Sequence, residues 1–304
     1  MDKSRCIHCL GDAQTATGVE HIVSECLGYQ VALPRGTVCD NCNNYFSRLD
    51  SIALAHPQIG EAVVLSGVRG KTGKSRDRSQ DGRMSIEKRT NDETVLAITL
   101  LDPKLHPPIR FTKVGEKWEI PALAAPPRYF TAPAFSRWLH KTALNAACLS
   151  KGHDFAMRTD CDTARKFGRA PKNANEFRAY GQYAGHERPA MWTFTPYENK
   201  NRPDIRWVLD MPLHGQAFAV CIDGDHEEAL KVLTAHARTR ADLQIFRSAK
   251  QAIAALPSRK PSCYLTTKPD DGNPDFLINI AMLRISVTFG KGEAGEHIEP
   301  ASES

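Results

Sequence analysis

Two short cysteine pairs, Cys6-Ile-His-Cys9 and Cys39-Asp-Asn-Cys42, decide how the beginning of this chain folds. In each pair the two intervening residues let the backbone turn back, so that both thiolates can reach one ion. Four thiolates complete the tetrahedral shell of a structural zinc site, which leaves no open position for a substrate. The spacing therefore predicts a structural Zn²⁺ bound by Cys6, Cys9, Cys39 and Cys42.

The segment between the two pairs predicts two short strands, at 19–23 and 33–38, separated by a loop around Gly28. A helix follows the second strand, with Asp40 as its expected N-cap. Its apolar face consists of Tyr45, Phe46, Leu49, Ile52 and Ala53, which recur at helical spacing. The predicted order is strand, strand, helix, with zinc ligands before the first strand and at the start of the helix.

The whole pattern predicts an α+β fold, in which a small zinc-stapled finger precedes a larger mixed α/β domain. We expect a finger at 1–57, a C-terminal domain at 58–290 and a disordered, polar tail at 291–304. In the larger domain, strands are expected at 62–66, 94–101, 118–120, 207–211 and 217–222, helices at 135–146 and 227–238, and a terminal strand region at 276–289.

Composition places the chain among ordinary globular proteins. Its 304 residues are 41% hydrophobic and include nine cysteines, an odd and unevenly spread set that does not predict a disulfide framework. No apolar run approaches the length needed to cross a bilayer, and the first residues lack the apolar stretch of a signal peptide. We therefore expect a cytoplasmic protein without a membrane partner; the sequence does not indicate its oligomeric state.

Positive charge is concentrated at 67–90, where eight Lys and Arg residues face three Asp and Glu residues. The local excess equals the formal net charge of the whole chain, +5. Two interpretations stand, a solvated loop or a surface that contacts DNA phosphates. The candidate phosphate-binding residues are Arg69, Lys71, Lys74, Arg76 and Arg78. The Gly-Lys-Thr and Gly-Lys-Ser triplets here lack the earlier glycine of a nucleotide-binding P-loop.

The first 57 residues resemble the zinc-containing branch of the HNH endonuclease family, in which paired cysteines bracket a ββα-metal finger. The likeness is carried by both cysteine pairs, by Glu20-His21-Ile-Val with Leu-Gly28 behind it, and by the asparagine that directly follows the second pair, Asn43. A weaker likeness continues at 135–145, where Phe-x-x-Trp-Leu-His-Lys-Thr-Ala-Leu-Asn resembles a helix found after the nuclease module in some members.

The resemblance implies hydrolysis of phosphodiester bonds in DNA, and it associates the chain with defence against foreign DNA. His21 would be the general base, since a neutral imidazole can accept a proton from water near pH 7. Glu20 and Asn43 would bind the catalytic Mg²⁺ or Mn²⁺ through oxygen ligands, with Asn44 as the fallback. Pro34 stands where many members have an asparagine that orients the base, so a backbone carbonyl or Gln30 is expected to hold the imidazole.

A second interpretation is a non-catalytic, zinc-stabilised module that binds nucleic acid or protein, with Glu20 and His21 as surface residues. His8, inside the first cysteine pair, is expected to be an exposed turn residue because four thiolates need no fifth ligand. The remaining cysteines, Cys26, Cys148, Cys161, Cys221 and Cys263, are expected to be small packing residues.

Overall fold

The structure is a computed structural model, and it describes part of the chain with side chains and part as backbone only. Side chains are described at 5–56, 59–60, 63, 130–169, 172–184, 189–198, 205–213, 216–240 and 242–256. Backbone alone is described at 78–80, 84–88, 95–100, 112–114, 117–119, 264–265, 275–280 and 283–289. The predicted tail at 291–304 lies outside these residues.

The described elements are those of an α+β protein, as predicted. The helices are α1 (Asp40–Leu54), α2 (Ala132–Lys151), α3 (His153–Ala156), α4 (Asp162–Arg169), α5 (His226–Arg238) and α6 (Ala249–Ala255). The strands are β1 (Arg78–Gln80), β2 (Met84–Lys88), β3 (Val95–Leu100), β4 (Thr112–Val114), β5 (Lys117–Glu119), β6 (Tyr180–Tyr183), β7 (Thr193–Glu198), β8 (Ile205–Leu213), β9 (Gln216–Cys221), β10 (Leu243–Phe246), β11 (Tyr264–Leu265), β12 (Asp275–Ile280) and β13 (Leu283–Phe289). Within the described part of the chain, no helix combines the length and apolar character needed to span a bilayer.

The chain forms two compact units, each built from two separate segments. The first contains Met1–Ser75 and Tyr129–Leu256, and the second contains Arg76–Arg128 and Pro257–Ser304. The first unit therefore includes the cysteine pairs together with α2 and the elements after it. The predicted domain boundaries at residues 57 and 290 stay a prediction.

The second unit is built from β-strands. Five strands pair in the order β1-β2-β3-β13-β12, and a three-stranded sheet has the order β11-β5-β4. Pairing is antiparallel except between β3 and β13, where Val95 lies opposite Arg284 in a parallel register. Two parallel strands must be joined by a long connection. The chain between β3 and β13 includes Tyr129–Leu256, the second segment of the first unit.

In the first unit, a five-stranded antiparallel sheet in the order β10-β6-β9-β8-β7 separates two apolar cores. Alternate residues of β8 serve the two faces, since Leu209 and Met211 belong to one core and Val208 to the other. The larger core contains α2, which is buried on nearly all sides and packs against α1, α4, α6 and β9. A helix that is buried all round is the centre of its core.

The hairpin expected before α1 is shorter than the sequence predicts. At 19–23 and 33–38, where two strands are predicted, the structure has a single β-bridge between His21 and Ala32. Residues Glu25–Leu27 form a 3₁₀ turn inside the hairpin. Because this turn uses residues next to the bridge, the ladder does not extend, and the prediction of two full strands is wrong.

Helix α1 lies where the sequence predicts it, and its apolar face is buried as expected. Its buried residues are Cys42, Phe46, Leu49 and Ala53. The N-cap is Cys39 rather than Asp40, and no side chain caps the helix. The Asp40 carboxylate instead accepts hydrogen bonds from the backbone N–H groups of Gly18, at 2.8 Å, and Thr17. These bonds lower the pKa of Asp40 and hold the loop before the hairpin on the first turn of α1.

The longer predicted elements of the remainder are confirmed. Strands β3, β8 and β9 and helices α2 and α5 lie at their predicted positions, and β12 and β13 form the terminal strand region. The strand predicted at 62–66 lies outside the described residues apart from Val63, which is helical. Elements that the sequence did not predict include β6, β10, α4 and α6, each eight residues long or shorter.

A network of hydrogen-bonded polar side chains crosses the smaller core of the first unit, the core that contains Val208. Asp210 accepts a hydrogen bond from the hydroxyl of Tyr183 at 2.8 Å and pairs with His236 Nε2 at 3.0 Å. The other ring nitrogen of His236 lies 2.6 Å from the hydroxyl of Tyr197. Asp210 and His236 are completely buried. Because water does not reach Asp210 or His236, their polar atoms are stabilised by the hydrogen bonds of this network.

Removing Asp210 should destabilise the first unit strongly. The substitution Asp210→Ala removes the partner of the Tyr183 hydroxyl and of His236 Nε2, and we expect a loss of about 3–5 kcal/mol in the free energy of unfolding. The control Asp154→Ala changes an exposed carboxylate and should cost less than about 0.5 kcal/mol. Urea unfolding followed by circular dichroism measures both. Equal stabilities of the two variants would contradict the assigned network.

His56 follows α1 and is enclosed by aromatic rings. The centroids of Phe130, Phe135 and Phe218 lie 5.3, 4.7 and 5.8 Å from the centroid of its imidazole. Neither ring nitrogen makes a hydrogen bond with a described residue. Burial lowers the pKa of His56 to about 3, so the folded protein keeps this ring neutral.

Acid should therefore destabilise the fold through His56. The unfolded imidazole titrates near pH 6.5 and the folded one near 3, so the unfolded state takes up the proton first. The contribution of His56 to the free energy of unfolding is fully present above about pH 6.5 and is lost as the pH falls toward 3. Between pH 7 and pH 5 the free energy of unfolding should fall by about 2 kcal/mol. In urea unfolding at both pH values, wild type should lose about 2 kcal/mol more than His56→Leu. Equal losses would show that the ring is accessible.

Candidate functional site

The four cysteines of the two pairs come together as the sequence predicts. Their Sγ atoms all lie within 4.8 Å of one another, and those of Cys9 and Cys39 are 3.6 Å apart. Cys6 and Cys42 are completely buried, while Cys9 and Cys39 are partly exposed. This spacing suits thiolates that surround one ion at the Zn–S distance of about 2.3 Å. The cluster can hold a metal ion such as zinc.

Backbone hydrogen bonds build the cluster before any metal is considered. In the first knuckle, Cys6 N donates to Gly11 O at 2.8 Å, and Leu10 adopts a left-handed φ of 61° that closes the turn. Ile7 N donates to Thr37 O at 3.0 Å, which ties the first knuckle to the residues just before the second. The two cysteine pairs therefore face each other because the chain around them is hydrogen-bonded.

The thiols of the cluster differ in how readily they ionise: burial raises the pKa of Cys39, and the hydrogen bond with Cys6 raises the pKa of Cys42. A hydrogen bond from Cys42 lowers the pKa of Cys6 to about 4. Arg169, at the end of α4, also contacts Cys42, and this contact raises the pKa of the guanidinium. A cation beside the cluster offsets part of the negative charge of four thiolates around a divalent ion. The sequence pattern gave no signal for Arg169, since it is far from both pairs in the chain.

Glu20 is buried and faces α2. Its Oε1 forms an ion pair with Lys141 Nζ and accepts a hydrogen bond from Asn145 Nδ2 at 3.0 Å. Burial raises the pKa of Glu20, while the charge of Lys141 acts in the opposite direction. No described residue donates a hydrogen bond to Oε2. The described contacts of Glu20 with α2 are thus made by one carboxylate oxygen, Oε1.

His21, the next residue, has a different partner. Its Nε2 lies 2.9 Å from Glu25 Oε1, and its side chain is 16% exposed. With Nε2–H donating to the carboxylate, the basic nitrogen of a neutral ring is Nδ1. The contact found at Nε2 is with Glu25, in the 3₁₀ turn, where Gln30 or a backbone carbonyl was expected. Glu25 stands four residues after His21 in the sequence, and the 3₁₀ turn brings the two side chains together.

Asn43 lies in the first turn of α1, against the loop that leads to Glu20. An added Cβ at Gly18 would be 2.5 Å from Asn43 Nδ2, so the amide rests directly on the backbone two residues before Glu20. No described residue forms a hydrogen bond with the Asn43 side chain. Asn44, the fallback ligand, is exposed. The structure therefore places Asn43, rather than Asn44, beside the loop that leads to Glu20.

His8 is buried, not exposed as the sequence suggested. Its exposed fraction is 3%, and its ring centroid lies 4.4 Å from that of Phe46. Its Nε2 lies 2.8 Å from Asn145 Oδ1, and burial lowers the pKa of His8 to about 4. The reason is that the first knuckle packs against α2, which encloses the residue between the two cysteines.

The candidate phosphate-binding residues cannot be placed in the site. Arg69, Lys71, Lys74 and Arg76 lie outside the described residues, and Arg78 begins β1, where only the backbone is described. Their contact with DNA stays a prediction.

No protein-family model, curated protein sequence or solved structure matches this chain. The functional assignment accordingly depends on the chemistry of the site. The likeness to HNH endonucleases carried by Glu20, His21 and Asn43 stays a prediction.

Replacing any one of the four cysteines should abolish zinc binding. Purified protein should contain one Zn²⁺ per chain by mass spectrometry of the metal, and Cys39→Ser should lose it, because a serine hydroxyl is a poor zinc ligand. The control Cys148→Ser changes a buried thiol on α2, outside the cluster, and should keep the metal. Zinc retained in Cys39→Ser would rule out the four-thiolate site.

Proposed function

We propose that this protein is a metal-dependent endonuclease that hydrolyses phosphodiester bonds in DNA, with His21 as general base. The observation that supports this most directly is the pairing of His21 with Glu25 on a partly exposed hairpin. A histidine whose Nε2 is held by a carboxylate has its other nitrogen ready to accept a proton, which is the arrangement of a general base.

The proposed step is an in-line attack of water on phosphorus. His21 Nδ1 takes a proton from the water as the water oxygen bonds to phosphorus, and the bond from phosphorus to the 3′-oxygen breaks. The 3′-oxygen takes a proton from solvent water and leaves as a hydroxyl. Glu25 keeps the ring in the required tautomer and stabilises the imidazolium that forms. The product of cutting one strand carries a 5′-phosphate.

Glu20 and Asn43 are the proposed ligands of a divalent ion. Glu20 Oε2 and the Asn43 amide make no hydrogen bond with a described residue, and Asn43 rests on Gly18, two residues before Glu20. Carboxylate and amide oxygens suit Mg²⁺ or Mn²⁺, so these donors fit the ion. When bound, such an ion would neutralise charge that builds on the phosphate and on the leaving oxygen.

DNA is the proposed partner. The attraction of phosphates to the basic residues at 67–90 would supply affinity that does not depend on sequence and falls as salt increases. The zinc cluster would act only as a scaffold that fixes α1 and the hairpin, since its four thiolates leave no open coordination position.

The decisive experiment is cleavage of supercoiled plasmid by zinc-loaded protein with Mg²⁺ or Mn²⁺. Wild type should nick the plasmid, and His21→Ala should reduce the rate by about 100-fold or more because the general base is lost, with zinc content and unfolding unchanged. Glu25→Gln, which keeps a hydrogen-bond acceptor but loses the charge, should fall between them. The control His226→Ala removes a histidine at the start of α5 and should cut normally. Nicking that survives His21→Ala would refute the proposal.

Gly18→Ala tests the placement of Asn43. The new Cβ would clash with Asn43 Nδ2, the flexible end of a side chain, and would lie 3.0 Å from Asp40 Oδ1. Asn43 should therefore rotate away at a stability cost below about 2 kcal/mol. Cleavage should fall by about tenfold or more, because a displaced ligand weakens the metal site. In the control Gly168→Ala the added Cβ meets atoms no closer than 3.8 Å, and activity should not change. Normal cleavage by Gly18→Ala would exclude Asn43 as a ligand.

One observation favours the second candidate, a non-catalytic zinc module. Glu20 already has a buried cation, Lys141, and a hydrogen-bond donor, Asn145, so its charge is compensated without a divalent ion. A structure determined after soaking with Mn²⁺ separates the candidates. Density for Mn²⁺ beside Glu20 and Asn43 supports the nuclease, and density at the four cysteines alone supports the module.

A further inference from the structure

We propose that Asn145 and Lys141 on α2 are positioning residues for the pair Glu20 and His21, so that a helix far along the chain completes the active site. The inference rests on the proposed function, because it concerns how that site is held. Neither side chain needs to touch DNA. Both would act by fixing the residues that do the chemistry.

Asn145 joins three parts of the finger through one amide group. It is completely buried, and its Nδ2 donates to Glu20 Oε1 at 3.0 Å and to the backbone oxygen of His21 at 3.2 Å. Its Oδ1 accepts a hydrogen bond from His8 Nε2 at 2.8 Å. The amide has one orientation that satisfies all three, because a carboxylate and a carbonyl only accept whereas the imidazole can donate. The zinc knuckle, the Glu20 side chain and the His21 backbone are thus held by a single residue.

Lys141 fixes the same carboxylate from a second direction. Its side chain is 1% exposed, and its ammonium group pairs with Glu20 Oε1 and lies 3.8 Å from Asp50 Oδ1. Asp50 is itself held by Trp138, whose Nε1 donates to Oδ1 at 3.0 Å. Glu20 therefore cannot rotate without breaking contacts with both Lys141 and Asn145. The oxygen without a described partner, Oε2, is kept in one place.

These contacts lie on one face of α2. Trp138, Lys141 and Asn145 are spaced by three and four residues, which places them in a row toward the finger. Ser136, on the same helix, instead donates to the backbone oxygen of Arg178 at 2.6 Å. α2 thus makes buried polar contacts with the candidate site through Asn145, and with Arg178 through Ser136. Because Ser136 lies outside the candidate site, its substitution is a control for the loss of a buried hydrogen bond.

Stability alone does not account for this set of residues. A buried Lys–Glu pair is commonly no more stable than apolar side chains of the same volume, because desolvation offsets the attraction between the charges. The buried residues of α2 are mostly apolar, and Ser136, His140, Lys141, Thr142 and Asn145 are the buried polar ones. Polar residues held in such a place are explained if they position a carboxylate and a peptide group that take part in metal binding and catalysis.

The first variant is Asn145→Leu, which keeps the shape of the side chain and removes all three hydrogen bonds. We expect kcat for plasmid nicking to fall by about 10- to 100-fold, as for other residues that hold metal ligands. KM for DNA should stay within about twofold because DNA contacts are untouched. Ser136→Ala removes one buried hydrogen bond on another side of α2; it should keep the wild-type kcat and lose less stability than Asn145→Leu, which removes three.

A second variant covers the case in which Asn145→Leu does not fold. Lys141→Met keeps the aliphatic stem and all three bonds of Asn145, so the zinc knuckle is undisturbed and only the ammonium group is lost. Its kcat should also fall by about tenfold or more, with one Zn²⁺ per chain retained. Wild-type kcat in both folded variants, or a loss of kcat matched by Ser136→Ala, would overturn the inference while leaving the nuclease in place.

Binding of Mn²⁺ gives a readout that does not depend on cleavage. Titration of zinc-loaded protein followed by electron paramagnetic resonance should show one Mn²⁺ site in wild type, no site in Glu20→Gln and an affinity weakened about tenfold or more in Asn145→Leu. If wild type binds Mn²⁺ but does not cut DNA, the proposed function fails, and the affinity of Asn145→Leu decides the inference. If wild type neither binds Mn²⁺ nor cuts DNA, both are overturned.

Discussion

The convergence of four thiolates is the constraint on which the rest of the candidate site depends. A segment of about 50 residues is too short to bury a core that could stabilise it alone, and such domains commonly rely on a metal. Closing both cysteine pairs on one ion fixes the start of α1 against the first knuckle. It thereby determines where the hairpin between them can lie, and with it His21 and Asn43.

The cysteine cluster does not act alone, because the finger also needs a surface to pack on. α2 provides that surface, and Lys141 and Asn145 make polar contacts from it with the finger. His8, Glu20 and the backbone of His21 all meet Asn145. The metal site and the helix therefore stabilise each other's geometry, since a shift of the knuckle would break the same hydrogen bonds that hold Glu20.

The sequence predicted those parts of the structure that depend on local spacing. The four cysteines, α1 and α2 follow from pairs of thiols and from apolar residues at helical intervals. The hairpin was predicted too long, because nothing in the residues themselves shows that Glu25–Leu27 turns into a 3₁₀ helix. His8 was placed on the surface for a similar reason, since its burial depends on α2, which lies more than a hundred residues further along the chain.

The partners of Glu20 and His21 show the limit of a local pattern most clearly. Glu25 is close in sequence to His21, yet only the folded turn makes it the partner of Nε2. Lys141 and Asn145 are distant, and their polar side chains on an apolar helix mark them as buried only once the helix is known to be the centre of a core. A buried charge without a partner is costly, so each such residue implies a complementary group elsewhere. Seen in this way, a lysine and an asparagine on one face of α2 predict a buried acid opposite them, and Glu20 is that acid.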